Sequence, residues 1–399
     1  MNAYLAADQA KRPEERSRAF PLSLRPMKIA HLISHKSQNG VATSLKELID
    51  AQLRAGHQIM LVHRPKSWIQ AQSFAGSVKM VEARFSMKPG DLRKTGYAIR
   101  DWGRTIVHAH GSPANKTLMI FRIADGVPSV MTAHLRHFQL PWRAAHAVIG
   151  LNKKTADYYT LRKLVPTERM YVLSNLFDAS QIAPVTESSR MAARATLGIR
   201  NEAFVLGSIG QISDRKNQVD ILRLLKKLVL EGLDADLLLI GHLSENKQPM
   251  PGWNAMLADP AIAGRVHLAG HRNDAVKLLH AMDVFVCTSR REEAPIAPVE
   301  AMAVEIPVLS TKVGNMDELL APASLFEIGD MDGMGRAVSR LAADEAMRRA
   351  KGAAARRMVV EKLAPEAVQP KMDEVYFDAL ERARDRGRRY FKDPADLRW

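Results

Sequence analysis

The chain has 399 residues, 46% of them hydrophobic and 25% charged, with a net charge of +15. That composition excludes a largely disordered, collagen-like or coiled-coil protein, and the length predicts two or three domains. A single cysteine, Cys287, excludes an intrachain disulfide and a multi-cysteine zinc site and fits the cytosol, while no apolar run approaches the ~18 residues of a membrane-spanning helix.

In chain order, residues 1–26 are polar and basic and read as a poorly ordered extension with no apolar signal-peptide core. Met27 stands directly before the first strand and is an alternative start. Lys28–Ser34 (KIAHLIS) predicts that strand. A loop over His35–Gly40 then enters a helix with Val41, Leu45, Leu48, Ile49 and Leu53 on one stripe and Gly56 beyond its end. Further strands are predicted at Gln58–Val62, Thr105–Ala109, Ser129–Thr132, Ala147–Gly150 and Met170–Leu173, with helical stretches between most of them. Residues 179–200 are less patterned and read as a linker. The alternation restarts with a strand at Phe204–Ile209 and a helix at Val219–Leu230. Strands follow at Asp236–Ile240, Val266–Leu268, Val284–Cys287 and Val308–Ser310, and a last helix runs from about Glu366 to Arg388.

Short apolar runs bracketed by helices predict parallel sheets covered on both faces. Two such series predict an α/β protein of two doubly wound Rossmann-like domains facing a cleft. The N-terminal domain is expected over 27–180 and the C-terminal domain over 181–370. Residues 371–399 would form a helix packing back toward the first domain, ending in a basic tail.

Ser289–Pro307 (SRREEAPIAPVEAMAVEIP) follows a strand at its carboxyl end, where open α/β sheets bind ligands. Pro298 suits the first helical position, which makes Glu300 the third. Glu292 and Glu300 would then be two carboxylates able to accept bonds from vicinal hydroxyls of a sugar or ribose. The bland alternative is that Glu300 serves the helix dipole or a cap, but Ala297 at the cap position cannot complete a capping box. Gly40, at a strand–helix turn, lets backbone N–H groups approach a phosphate. Asp234-Ala-Asp236 has the spacing of a metal-binding pair but precedes its strand, so a solvated turn is expected. His108-Ala-His110 places two imidazoles on one strand face without an evident third ligand. Neither GxGxxG nor a phosphate-binding GxxxxGK[ST] occurs, which lowers dehydrogenase and NTPase readings.

Glu292, Glu300-Ala-Met-Ala303, Pro307-Val308, Val313-Gly314 and Glu318-Leu319 together resemble the Glu-x7-Glu signature region of the retaining glycosyltransferases of family four, enzymes of the GT-B fold. The resemblance extends over roughly residues 27–375. It implies a nucleotide-diphosphate sugar as donor and no cofactor or metal. Gly207–Asn217 (GSIGQISDRKN) resembles the family's "GRL..KG" loop, whose arginine and lysine hold the donor diphosphate. Gly210 and Lys216 match that loop, Gln211 stands where the arginine is expected, Asn217 replaces the glycine, and Arg215 is the candidate substitute charge. The resemblance further implies that His134 lies against the donor sugar. It assigns Glu300 to the ribose, Glu292 to the sugar hydroxyls, and Asn175 and Asp178 to the hinge. Catalytic roles are therefore expected for His134, Lys216 and Glu292, and donor binding for Gly40, Gly210, Gln211, Arg215, Lys216, Glu292 and Glu300. Glu305 stands where the family has glycine.

The charge is one-sided. Residues 1–178 hold 27 basic and 12 acidic side chains, and the remainder holds 31 of each. Basic stretches in the first half interleave with Trp68, Phe85 and the segment His134–Arg143. In a GT-B enzyme that half faces the acceptor. An anionic acceptor is expected, lipid-linked or otherwise part of a cell-envelope saccharide such as lipopolysaccharide or capsule, reached from the cytoplasm at the inner membrane face. The alternative is a catalytically degenerate GT-B scaffold binding nucleic acid or anionic membrane, motivated by Gln211, Asn217 and the C-terminal RARDRGRRYFK. Nucleic acid is the less favoured partner, because a sugar-binding glutamate pair has no role there.

Overall fold

The computed structural model describes residues 26–103, 105–243 and 250–390. The expected N-terminal extension, apart from Pro26, and the tail beyond Tyr390 lie outside the described residues.

Seven parallel strands form the first sheet: β1 (Lys28–Ile33), β2 (Gln58–His63), β3 (Val78–Glu82), β4 (Ile106–His110), β5 (Ser129–Ala133), β6 (Ala147–Gly150) and β7 (Met170–Val172), in the order β3-β2-β1-β4-β5-β6-β7. Six more form the second: β8 (Phe204–Ile209), β9 (Ala235–Ile240), β10 (Val266–Leu268), β11 (Val284–Cys287), β12 (Val308–Thr311) and β13 (Leu325–Phe326), in the order β10-β9-β8-β11-β12-β13. The central strands are largely apolar and buried on both faces because helices cover both sides, so they read as short apolar runs interrupted only by a few buried polar residues such as His31, His108, His110 and Asp236. The strand order reverses between β1 and β4 and again between β8 and β11. A crevice opens at such a reversal because the connections diverge to opposite faces. The loops after these four strands are therefore the ones the fold offers to a ligand.

Two strands escape the sequence pattern. β3 (VKMVE) is a largely exposed edge strand, and its Lys79 and Glu82 discourage further pairing. β13 has only two residues. The expected linker over 179–200 is also corrected, since it contains a helix, Glu187–Leu197. Thr186 Oγ1 accepts from Ser189 N at 3.2 Å and Ser189 Oγ accepts from Thr186 N at 2.9 Å, a reciprocal cap. Gly198 ends the helix at φ 65°. Arg194 on this helix is fully buried and fixes the segment to the second sheet.

The chain crosses back at Ala364-Pro365, inside the segment expected to belong to the second domain. The helix Pro365–Tyr390 places Val368, Met372, Val375, Tyr376 and Ala379 in the same core as Leu45 and Ile49 of the Gly40–Arg54 helix. The tryptophans and Phe85 of the basic stretches also pack toward the core. Trp142 is buried, Trp68 packs partly buried against the first core, and Phe85 is buried. Trp142 and Phe85 are therefore not available as surface anchors.

Glu305 adopts φ 67° one residue past the Val304 cap of the helix Ile296–Ala303, a left-handed position that favours glycine. Its carbonyl meets Gly352 so closely that a Cβ there would sit 1.9 Å away, so the turn is clamped. Glu305→Gly is expected to raise stability by about 0.5–1 kcal/mol, the left-handed penalty less the entropy cost of glycine, in urea unfolding. A loss of stability would show that the Glu305 side chain contributes a contact outweighing that strain.

Candidate active site at the interdomain cleft

The N-terminal wall is built by three strand ends. After β1, Asn39 Oδ1 accepts from Ala42 N at 3.0 Å and caps the Gly40–Arg54 helix. The positive end of that helix thus opens on the cleft. Gly40 faces the opposite domain, where Ile296 Cδ1 would lie 3.5 Å from a Cβ placed there, an ordinary contact distance. After β4, Gly111 at φ 94° leaves room for His35 and Ser34, which would lie 2.7 and 2.8 Å from a Cβ. His134 follows β5 directly.

The C-terminal wall is built after β8 and β11. Gly210 at φ 146° lies under the Lys216 stem, 3.1 Å from Cε to where a Cβ would be. Asn217 takes φ 54° at the start of the helix Gln218–Leu230. Asparagine is the residue that best replaces glycine in that conformation. Its Nδ2 donates to Asp220 Oδ2 at 2.6 Å, and its Oδ1 accepts from Arg290 at 3.3 Å. The departure from the expected glycine is therefore conformationally equivalent.

Lys216 Nζ lies 2.8 Å from Glu292 Oε1, and Arg215 Nη1 lies 2.6 Å from Glu292 Oε2. Ser289 Oγ donates to the same Glu292 Oε1 at 3.2 Å. Burial alone would raise the Glu292 carboxyl, but the two cations outweigh it and hold it below its usual range. This carboxylate therefore orients both cations, beyond the expected contact with a sugar. Glu300 sits on the same domain and is pushed up to about 7 by burial and by Glu47 of the opposite wall, against the pull of Lys216. Its helix begins at Ile296, two residues earlier than expected. Pro298 is tolerated there because first-turn N–H groups have no partner within the helix. Glu300 thus lies beyond the first turn, which removes the capping reading. Among the described residues, no side chain bonds its carboxylate.

One cleft brings together Gly40 and His134 from the first domain with Arg215 and Glu292 from the second. Lys216 joins them through Glu292. Gln211 does not; it is exposed, and its carbonyl receives Ser213 Oγ and Gln218 Nε2. Arg215 does line the cleft, paired with Glu292 at 2.6 Å.

Residues 38–181 match the family model described as Glycosyltransferase Family 4, and residues 189–358 match Glycosyl transferases group 1. The chain carries the domains of the group 1 glycosyltransferases. It is 28% identical over 180 residues to the capsular polysaccharide biosynthesis glycosyltransferase CapM of Staphylococcus aureus, covering 44% of this chain and 46% of CapM. The chain thus spans about half the length of such curated relatives. Over 269 residues it is 25% identical to the UDP-Gal:alpha-D-GlcNAc-diphosphoundecaprenol alpha-1,3-galactosyltransferase of Escherichia coli, covering 61% of this chain and 67% of that one. HepE of Anabaena in complex with UDP superposes with a TM-score of 0.75 at 18% identity, over 87% of this chain and 99% of HepE. The fold is GT-B.

Within this group 1 glycosyltransferase frame, two residues escaped the sequence reading. Glu293, next to Glu292, is buried and crosses the seam between domains. Its Oε1 accepts from Arg136 Nε at 3.0 Å, its Oε2 accepts from Thr155 Oγ1, and its carbonyl accepts from Asn152 Nδ2. The acidic doublet thus divides its work, one carboxylate on the cations and one on the opposite domain. No spacing rule marks which of the two faces which way. The second is His31, which β1 places beside His108 and His110 of β4. The three imidazoles bring nitrogens within 4.8 Å of one another, supplying the third group the sequence lacked. Each is already engaged in hydrogen bonds to neighbouring side chains.

Asp234 and Asp236 are no metal pair. Asp234 takes Arg200 at 2.9 Å and Arg265 at 2.7 Å, while Asp236 takes Arg200 at 3.1 Å and His267 at 3.2 Å. Asp236 also lies within β9 and is buried, so only Asp234 fits the expected solvated turn. At the hinge, Asp178 accepts from Arg54 at 3.1 Å, and Phe177 N donates to Leu363 O at 2.8 Å. Both strands of the interdomain connection are thereby tied together.

Proposed function

We propose that this chain transfers a glycosyl group, with retention, from a nucleotide-diphosphate sugar to an anionic saccharide of the cell envelope. The observation that carries the reading is the Lys216–Glu292–Arg215 cluster at the switch point of the second sheet, facing His134 across the cleft. As the bond from the anomeric carbon to the diphosphate breaks, negative charge gathers on the leaving group. Lys216, Arg215 and the N–H groups that open the Gln218–Leu230 helix would stabilise it without a metal. Glu300 would accept bonds from the ribose hydroxyls and Glu292 from those of the donor sugar. The acceptor oxygen would attack from the face the diphosphate leaves, and a diphosphate oxygen would take its proton. The walls meeting at Gly40 and Ile296 would exclude water from that step.

The acceptor side rests on the surface of the first domain. Tyr97, Leu135, Phe138 and Leu140 are exposed there. The helices Pro89–Asp101 and Ser112–Asp125 enclose an apolar groove edged by Arg93 and Arg100. Among the described residues no helix is long and apolar enough to cross a membrane. Peripheral attachment to an anionic cytoplasmic membrane face fits this surface, at about 1 kcal/mol per basic side chain near the bilayer. Vesicles containing anionic lipid should retain the protein at low salt more than neutral vesicles do. Equal retention would remove the membrane part of the proposal.

The donor site is tested by thermal shift with UDP, GDP, ADP, CMP and dTDP, on wild type and Glu300→Ala. One nucleotide should stabilise the wild type by about 2.7 kcal/mol at a hundredfold excess over Kd, and the variant less. No stabilisation at millimolar nucleotide would favour a binding scaffold, with RNA and anionic lipid as the partners to test next. The Glu300 carboxyl also sets a pH dependence. Its folded value, about 7, lies above its ordinary value. The folded state therefore holds the extra proton between about 4.5 and 7, and Glu300 costs stability as pH rises through that window. Nucleotide affinity should move the opposite way and increase toward pH 8, because the ionised carboxylate is the better acceptor. Glu300→Gln should flatten both profiles, and unchanged profiles would remove this residue from the site.

A further inference from the structure

His134 does not enter the cleft alone. Its Nε2 lies 3.3 Å from His110 Nδ1, and His110 Nε2 lies 3.2 Å from His31 Nδ1. His31 Nε2 lies 2.7 Å from Gln52 Oε1, and Gln52 Nε2 donates to Tyr376 Oη at 2.9 Å. Tyr376 Oη lies 2.9 Å from His108 Nδ1, and His108 Nε2 lies 2.7 Å from Thr132 Oγ1. One continuous hydrogen-bonded chain thus runs from the cleft through the first sheet to the C-terminal helix. His31, His108, His110, Gln52 and Tyr376 are all buried.

We infer that this chain, pinned at Gln52 and Tyr376, fixes His134 in its Nε2–H form and presents its Nδ1 lone pair to the cleft as an acceptor for a donor-sugar hydroxyl. The hydroxyl assignment rests on the reading proposed above; the tautomer does not.

The direction follows from donor bookkeeping. A neutral imidazole carries one proton, so each ring donates through one nitrogen and accepts through the other. Gln52 Oε1 can only accept, so His31 holds its proton on Nε2 and accepts at Nδ1. His110 must then donate from Nε2 and accept at Nδ1, and His134 must donate from Nε2. His134 Nδ1 is left with no partner among the described residues, and the ring lines the cleft. In the other branch the Tyr376 hydroxyl accepts from Gln52 and so donates to His108 Nδ1, and His108 donates from Nε2 to Thr132. Reversing the Gln52 amide would invert every bond in both branches and force all four rings into the Nδ1–H form. For a neutral histidine side chain Nε2–H is the intrinsically favoured tautomer, so the stated direction has all four rings in the preferred form. Burial and mutual repulsion hold the rings neutral, lowering His31 to about 4 and His134 to about 3, so no extra proton scrambles the pattern near neutral pH. Gln52 and Tyr376 are thereby positioning residues for His134.

The test is long-range 1H–15N NMR correlation of the imidazoles in the full chain labelled with 15N-histidine. His134 signals are identified by their loss in His134→Ala. Wild type should show a protonated Nε2 and an unprotonated, acceptor-type Nδ1 on His134, unchanged between pH 6 and 8. Gln52→Leu removes the terminal acceptor and should convert His134 to a mixture of tautomers. In turnover it should lower kcat/KM for the donor severalfold, with donor KM rising. If Gln52→Leu does not fold, Tyr376→Phe keeps the ring, frees the Gln52 amide to rotate and should give the same mixture. A proton on Nδ1 of wild-type His134, or an unaltered pattern in the variants, overturns the inference. So does a pattern that appears only after chelator treatment, because the imidazoles would then hold a metal. The expected pattern in a protein that turns over no nucleotide sugar would overturn the proposed function and leave the relay standing.

Discussion

Lys216→Ala should lower kcat/KM for donor about 10²- to 10³-fold, the range seen when one preorganised charge or donor is removed from a developing anion. The expectation follows from the cluster geometry. Lys216 is mostly buried and held by Glu292 at 2.8 Å, so its ammonium needs little reorganisation when charge develops beside it. Arg215 is more exposed and cannot move into the vacated space without leaving its own bond to Glu292. Gln211→Ala should change the rate by less than about threefold, because that side chain carries no charge and faces solvent. Steady-state transfer kinetics on both variants decide the matter. Equal, small effects would remove the diphosphate role from this loop. A matched loss of nucleoside-diphosphate stabilisation, but not of nucleoside stabilisation, would place the effect on the phosphates.

Arg194→Met should cost about 3–5 kcal/mol of stability, because it removes one partner of a buried pair while leaving the other in place. Arg194 donates Nε to Ala281 O at 3.1 Å and Nη1 to Ala203 O at 3.0 Å, and it also reaches the carbonyls of Arg200 and Asn201. Its Nη2 meets Asp283 Oδ2 at 2.7 Å. Methionine fills similar volume and satisfies none of these acceptors. Asp283 keeps Val205 N at 2.7 Å and Arg190 at 3.0 Å, so its carboxylate is not left wholly unpaired and the lower part of the range is expected. Urea unfolding followed by circular dichroism should show the transition of the second domain moving to lower denaturant. A change under about 1 kcal/mol would mean that the carbonyl cage relaxes around the substitution.

The two sheets were legible because their central strands are short apolar runs set between amphipathic helices. Ala147–Gly150, Phe204–Ile209, Val266–Leu268 and Val284–Cys287 match to the residue, and the other expected strands differ by one position at one or both ends. Polar elements were not legible. β3 (VKMVE) earns its place by pairing with β2 and not by apolar content, and the Glu187–Leu197 helix shows mainly a polar face. Within the site, loop positions after β1, β5, β8 and β11 could be read from the chain. Which carboxylate of the Glu292-Glu293 doublet holds cations and which crosses the seam could not, since alternating loop residues obey no helical or strand period. The placement of the tryptophans in the basic stretches was not legible for a related reason. Trp68 and Trp142 look like surface anchors beside arginines, yet their large apolar area is better satisfied by the core.

The sequence by itself determined the alternation of strands and helices, the doubling of the α/β unit and the residue types at the strand ends, because these depend on local propensity and periodicity. Only the tertiary structure decided which of those ends meet. Parallel pairing of β1 with β4 sets His31 opposite His108 from 77 positions away, and the returning helix supplies Tyr376 to the same chain of bonds. Closure of the two domains sets Glu293 on Arg136 and Glu300 toward Glu47. Such contacts arise from how the sheets and helices pack, and that arrangement is a property of the whole core and not of any local stretch of sequence.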